Sequence, residues 1–344
     1  MARKTNEIRR ALLEAVFWRA NSPVTRIARR FGLTREAVRL HMRYLVKSGH
    51  VKSEGKGRWS RYRLVPTHLV KHEYDLAKLP TEDQVWEAFV RPNLGEITPE
   101  VRDICHYGLT EMVNNVIDHA TARTLTVTLR RTAVSVAMTV TDDGIGMFQK
   151  IAAALGLTDP RQALLELSKG KFTTDPSRHT GEGVFFTSRA FDRFSIRSSD
   201  LLFVHTSISD DWLVESEEKA FVGTRITMSL IIPAQRTLEG VFVRFSSGPD
   251  EHRFAKTHVP LKLATYGDES LISRSSAKRV LSRVERFDEV LLDFAHVRSI
   301  GQAFADEIFR VFTNEHPNVQ LTAINANEQV TSMIRRAEAA RKES

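Results

Sequence analysis

The sequence predicts a mixed α/β (α+β) protein of three successive blocks, and three observations carry that expectation. A strongly basic opening block reads as helices followed by a hairpin. The middle of the chain alternates period-2 apolar runs with Gly-rich turns and amphipathic helices. The end, over residues 287–337, reads strand, helix, strand, helix. A chain of 344 residues, 42% hydrophobic and 27% charged, suits two or three globular domains. Its one cysteine, Cys105, excludes an internal disulfide and fits a reducing compartment, so a cytoplasmic location is expected. The opening MARKTNEIRR leads into an amphipathic segment, not an apolar signal core. No run approaches the roughly 20 apolar residues of a membrane span, so no membrane partner is expected.

Charge is unevenly distributed. Residues 1–65 carry 17 Lys/Arg against 4 Glu, hence +13, which leaves −5 for the remainder of a chain whose total is +8. A basic module on a mildly acidic body is an electrostatic reason to consider nucleic acid. Within this block an amphipathic helix is expected over 5–20. SPVTRIARRFGLTREAVRLHMRYLVKSGHV then reads as helix, turn at Gly32-Leu33, helix, with Thr34 as N-cap. HVKSEGKGRWSRYRLV alternates around Gly-Lys-Gly as a hairpin does. This order resembles a winged helix-turn-helix domain. The resemblance implies that the helix from Thr34 to Lys47 enters the major groove of DNA while the hairpin tracks the backbone. Arg35, Arg39 and Arg43 form one helical stripe suited to bases and phosphates; Lys56, Arg58 and Arg61 on the hairpin suit phosphate. A solvated basic face or a protein-binding winged helix is the plain alternative.

Val65-Pro66-Thr67 interrupts the pattern, so residues 66–100 are expected to form a linker with a bridging helix around 83–90.

Four stretches of the central block, 101–235, carry chemistry. In EMVNNVIDHA (111–120), Glu111 and Asn115 lie four apart on one helical face; a carboxylate beside an amide oxygen suits Mg²⁺ and water activation. In VAMTVTDDGIGMF, an alternating strand ends in Asp142, able to accept from an exocyclic amine such as adenine N6, and Gly144 and Gly146 let backbone approach a flat base. In HTGEGVFFTSRAFD, Gly181 and Gly183 open an apolar helix whose free N–H groups form a phosphate cradle. In VGTRITMSLIIP, Thr224 follows Gly223 in a strand. No P-loop GxxxxGK[ST] is present.

In order and spacing these four resemble the GHKL (Bergerat-fold, HATPase_c-type) ATPases, which include gyrase-type and MutL-type ATPases, histidine kinases and anti-sigma-factor serine kinases. The resemblance implies ATP and Mg²⁺ as cofactors. Asn115 would bind Mg²⁺, Asp142 would hold adenine N6, and Gly144 and Gly146 would border the base. Gly181 and Gly183 would cradle phosphates, and Thr224 would reach the adenine edge. Glu111 matches the acid that orients the attacking water or hydroxyl. The lid would lie between Phe148 and His179. Its Lys169, Lys171, Arg178 and His179 are the cations available to the γ-phosphate, Lys171 being counted among the nucleotide ligands. His119 is expected to pack or hydrogen-bond, Asp118 to be solvated, and Asp143 to steady the turn.

The last block, 240–338, resembles a STAS-like domain, with SLISRSSAKRVLSRV as a further helix upstream. Where anti-sigma antagonists carry paired serines before the helix, this chain has Gln302 and Ala303, with Ser299 out of register. Packing or docking of a protein partner is therefore expected here, not phosphoacceptance. The leading expectation is an ATP-responsive DNA-binding regulator, which allows a homodimer. A serine protein kinase of the anti-sigma-factor type is the alternative. A sensor histidine kinase, with His68 or His72 as acceptor, ranks third.

Overall fold

Helix α1 (Ala2–Phe17) opens the computed structural model, which describes residues 2–55, 61–78, 80–173, 180–215, 221–248, 251–265 and 271–342. Ile8, Leu12, Leu13 and Val16 turn inward from α1 against α2 (Pro23–Phe31) and α3 (Arg35–Lys47). Gly32 closes α2 in the left-handed conformation at φ 63°, where a side chain would be strained. Thr34 caps α3, its Oγ1 accepting from Ala37 N at 3.2 Å. Strands β1 (Val51–Glu54) and β2 (Arg61–Leu64) pair antiparallel, Val51 opposite Leu64. Three helices and an antiparallel strand pair thus follow one another, but this unit is not freestanding. Val134, from the following layer, belongs to its hydrophobic core, and Arg10 donates to the Ile232 carbonyl at 2.6 Å.

The expected linker at 66–100 is instead structural. Residues His68–Asp75 form β3, which pairs along its whole length with β4 (Thr124–Arg131) and so forms one edge of a seven-stranded sheet. Val70, His72 and Tyr74 share the face of Leu129, Val127 and Leu125, and the partial burial of Val70 and Tyr74 fixes that register. The bridging helix is present: α4 (Glu82–Val85) runs through a π-helical turn, Trp86–Val90, into α5 (Arg91–Asn93). The long helix α6 (Pro99–His119) follows.

After β4 come β5 (Ser135–Asp142), α7 (Met147–Leu155), α8 (Gln162–Lys169) and α9 (Gly183–Ala190). Then follow β6 (Arg193–Ser199), β7 (Leu201–Thr206), β8 (Ser209–Glu215) and β9 (Phe221–Ile231). The sheet order is β3-β4-β5-β9-β6-β7-β8, antiparallel throughout. On its inner face Leu129, Met138, Met228 and Phe194 form one apolar row across four strands, and this face packs on α6 and α9. The outer face is hydroxylic, with Thr128, Thr139, Thr227 and Ser195 in the neighbouring row. A two-layer α/β sandwich results.

Helix α10 (Leu238–Phe245) still belongs to this sandwich, since Phe242 meets Tyr107 and Phe245 meets Phe185 edge-on. Short strands β10 (Ser246–Gly248) and β11 (Glu251–Phe254) lead to β12 (Lys256–Pro260), a strand absent from the sequence-based expectation. Helix α11 (Arg274–Leu281), β13 (Glu289–Asp293) and α12 (Gln302–Asp306) come next, the last running through a π-helical stretch, Glu307–Phe312, into α13 (Thr313–Glu315). Strand β14 (Gln320–Ile324) and α14 (Glu328–Lys342) close the chain. Strands β12-β13-β14 form a parallel sheet in that order. Phe254 and Phe287 stack into the same aromatic cluster as Phe185 and Phe186, so the sandwich and the last unit share one core.

Candidate functional site

Helix α6 is built to do two jobs. Ile104, Leu109, Met112, Val113 and Val116 seat it on the sheet, while Glu111, Asn115 and His119 turn to a cavity of about 330 Å³. The period-2 alternation of β5 that buries Val136, Met138 and Val140 carries Asp142 to the same inner side, where it ends at the cavity wall, 5% exposed. Two backbone donors hold Asp142: its Oδ1 accepts from Gly144 N at 2.9 Å and from Thr224 N at 3.2 Å. The Thr224 hydroxyl accepts from Met147 N at 2.9 Å, which ties β9 to the start of α7. One carboxylate oxygen of Asp142 is thus committed to the fold, and Oδ2 takes part in neither of those bonds.

Gly146, Gly181, Gly183 and Thr224 also line the cavity. At Gly183 a Cβ would overlap the Glu111 carboxylate, so only glycine lets that acid lie against the start of α9. Burial raises the Glu111 carboxyl above its ordinary range, and the charge of Glu182 adds to the effect. Burial likewise raises Glu182 and, against the pull of its two backbone donors, Asp142.

Not every expected residue arrives at the cavity. Gly144 is absent from the wall and acts by donating its N–H to Asp142. Lys171 is not on the wall, although its charge is felt by Glu182: its Nζ donates to the Arg286 carbonyl at 2.8 Å and lies 4.5 Å from the Phe287 ring centre. Lys169 is 1% exposed and pairs with Glu166 at 2.6 Å. Neither lysine is positioned as a phosphate ligand, because carbonyls 110 to 115 residues downstream take both ammonium groups. Arg178 and His179 lie outside the described residues. Asp143 steadies the turn, its Oδ1 accepting from Arg123 N and Thr124 N. Lys150, Glu182 and Phe172 line the cavity without having been expected there. Lys150, four residues after Gly146 and so on its helical face, was legible in principle; it donates to the His119 carbonyl. Phe172 reaches the wall through a turn that sequence spacing does not reveal.

At the other end of the chain, Arg35, Arg39 and Arg43 are exposed on α3, and Arg61 is exposed on β2. Arg39 also lies 3.5 Å from Glu36. Lys56 and Arg58 lie outside the described residues. Leu40, 61% exposed, and Tyr44 sit between the arginines, and the Arg9 guanidinium lies 3.4 Å over the Tyr44 ring. His68 and His72, the weakest acceptor candidates, are on the edge strand β3; His68 bonds Asn93 at 3.1 Å. Gln302 and Ala303 stand exposed at the start of α12, with no hydroxyl on either.

Among the described residues no helix is long and apolar enough to cross a membrane, and no three His, Cys, Asp or Glu side chains group as a metal site. Residues 73–206 match the family described as Histidine kinase-like ATPase domain, and residues 276–331 match the STAS-like domain of unknown function. These two matches and the mixed α/β fold indicate an ATP-binding regulatory function. A search of curated proteins returned no match.

Proposed function

We propose that the chain binds ATP with Mg²⁺ in the cavity between α6, α9 and the end of β5, and acts as a nucleotide-responsive DNA-binding regulator. The observation that carries the nucleotide reading is convergence: Glu111, Asn115, Asp142, Gly181, Gly183 and Thr224, from four separate stretches, line one cavity. The residues fit the group. Asp142 offers a carboxylate oxygen beyond its two backbone bonds, suited to an adenine amine. The Gly181–Gly183 turn at the start of α9 suits phosphates. Asn115 supplies a hard oxygen for Mg²⁺, an ion that otherwise keeps phosphate and water ligands. Bound ATP would supply an activated γ-phosphoryl group. Glu111, whose burial strengthens its hold on a proton, would accept that proton from the attacking water or hydroxyl. Removing the Asn115 side chain tests this: Asn115→Ala should abolish the Mg²⁺ dependence of ATP binding, and unaltered ATP–Mg²⁺ affinity would refute the assignment.

DNA binding rests on the exposed stripe Arg35, Arg39 and Arg43 and on the +13 balance of residues 1–65. The proposal extends to a protein partner for the STAS-like unit and to a homodimer as the state in which two such stripes would read DNA. A serine kinase of the anti-sigma-factor type is the second reading, favoured by the same Glu111 beside the cavity. Incubation with γ-labelled ATP and candidate partners separates the two. Labelled protein supports the kinase; a nucleotide-dependent DNA shift without labelled protein supports the regulator.

A further inference from the structure

Lys169, the buried last residue of α8, and the half-buried Lys171 just after it are absent from the cavity wall; the STAS-like unit holds both ammonium groups. Lys169 Nζ donates to the carbonyls of Arg279, at 3.2 Å, and Ser282, at 2.9 Å, at the carboxyl end of α11, besides pairing with Glu166. Those carbonyls carry the negative end of the helix dipole, so the cation completes a helix terminus from another unit. Arg283 returns the grip. Its Nη1 donates to Glu166 Oε2 at 3.1 Å, its Nη2 to the Lys171 carbonyl, and its guanidinium lies 5.0 Å over the Phe172 ring. From β12, the Thr257 hydroxyl donates to the Lys169 carbonyl at 2.6 Å.

The clasped stretch is also the cavity wall. Phe172 and Thr173 line the cavity, and Phe172 N donates to the Gly181 carbonyl at 3.2 Å, beside the proposed phosphate cradle. Between clasp and wall the chain makes a sharp double turn, Gly170 at φ 80° and Lys171 at φ 54°. The left-handed region is unfavourable for a lysine, and such a conformation persists only where surroundings over-determine it. Here the surroundings are Arg283, the Arg286 carbonyl and the Phe287 ring, all from the STAS-like side.

We propose that Arg283 is a positioning residue for the nucleotide cavity, and that through it the STAS-like unit is a built-in effector of ATP binding. Arg283 and α11 hold the Lys169–Phe172 turn so that Phe172 and Gly181 form a finished wall; nucleotide on that wall in turn strengthens the docking of α11. Detaching α11 would leave the buried Lys169 ammonium and Glu166 carboxylate without their full set of partners, so separating the two units is costly. The coupling is reciprocal by linkage: a protein that draws α11 away from the clasp lowers ATP affinity by the factor by which ATP opposes that protein.

The inference rests on the ATP reading, and the test separates the two. ATP–Mg²⁺ affinity is measured by calorimetric titration for the full chain, for Arg283→Ala and for Arg283→Lys. Arg283→Ala should weaken ATP by roughly tenfold, inside the 5- to 150-fold range of coupled sites. Arg283→Lys, which keeps the charge but reaches fewer acceptors, should fall between. In the wild-type chain, amide exchange over 274–286 should slow when ATP–Mg²⁺ is added. Thr257→Val, which deletes one bond of the clasp, covers the case in which Arg283→Ala does not fold and should show a smaller loss in the same direction. Wild-type binding with affinities unchanged in the variants, or exchange over 274–286 indifferent to ATP, overturns the coupling alone. No ATP binding by the wild-type chain overturns the ATP reading and the coupling with it.

Discussion

Asp142→Asn replaces one oxygen of the carboxylate with an amide and leaves the rest of the side chain in place. The remaining Asn oxygen can still accept from Gly144 N and Thr224 N, the two bonds that hold the turn, so the nucleotide-free fold should survive. The other position changes from acceptor to donor. An adenine N6 amine there loses a charge-assisted hydrogen bond, worth about 1.5–3 kcal/mol, and meets a second donor instead. That loss corresponds to roughly 10- to 150-fold in affinity. Inosine triphosphate, which carries a 6-oxo acceptor where adenine has its amine, should lose far less or gain. Calorimetric titration of both nucleotides against both proteins, with thermal unfolding of the nucleotide-free forms as control, measures the effect as a ratio of ratios. An Asp142→Asn protein that melts like wild type and binds ATP within about twofold of it would show that the base does not sit on Asp142.

Three further outcomes are expected. Arg39→Ala with Arg43→Ala should weaken duplex DNA binding and reduce the slope of log affinity against log salt by roughly 1 for each phosphate no longer neutralised; undiminished affinity would move the DNA-reading surface away from α3. Burial, then Glu182, raises the Glu111 carboxyl above its ordinary 4.5, so its contribution to stability is complete below 4.5 and is lost as pH rises through the raised value. Nucleotide-free Glu111→Gln should therefore gain on wild type in chemical unfolding as pH rises from 4.5 towards neutrality, and a pH-independent difference would contradict the burial argument. Burial opposes ionisation of Asp293, yet His258, the Ala295 N–H and Asn325 hold its carboxyl down at about 2. Its stabilisation is present above the ordinary 3.8 and lost as pH falls towards 2, so Asp293→Asn should flatten that part of the acid unfolding profile.

The cavity was legible where chemically distinctive residues sit at spacings set by local structure. Glu111 and Asn115 share a helical face because helices repeat about every 3.6 residues, and Asp142 closes a strand whose alternation is plain. Strand β3 was not legible. HLVKHEYD alternates, but the set on its inner face is Val70, His72 and Tyr74, too polar to stand out beside Pro66, and only pairing with β4 reveals it. The lysines of 169–171 misled for a related reason. A local run of positive charge beside a glycine cradle suggests phosphate, whereas, apart from Glu166 beside Lys169, the carbonyls that claim Lys169 and Lys171 lie 110 to 115 residues further along the chain. Spacing rules describe neighbours in sequence, and those partners are neighbours only in space.

The step from β2 to β3 takes three residues, with Val65 N bonded to the His50 carbonyl at 2.9 Å and Thr67 N to that of Arg131 at 2.8 Å. No slack is stored there. Under the DNA-reading proposal, a module joined in this way could not search for a second half-site by swinging on a tether, so in any pair of copies the distance between the two α3 helices would be dictated by how the sandwiches face each other. The spacing of preferred half-sites, read from a library of operators with varied gaps, would then serve as a ruler for the sandwich pairing itself, with and without nucleotide.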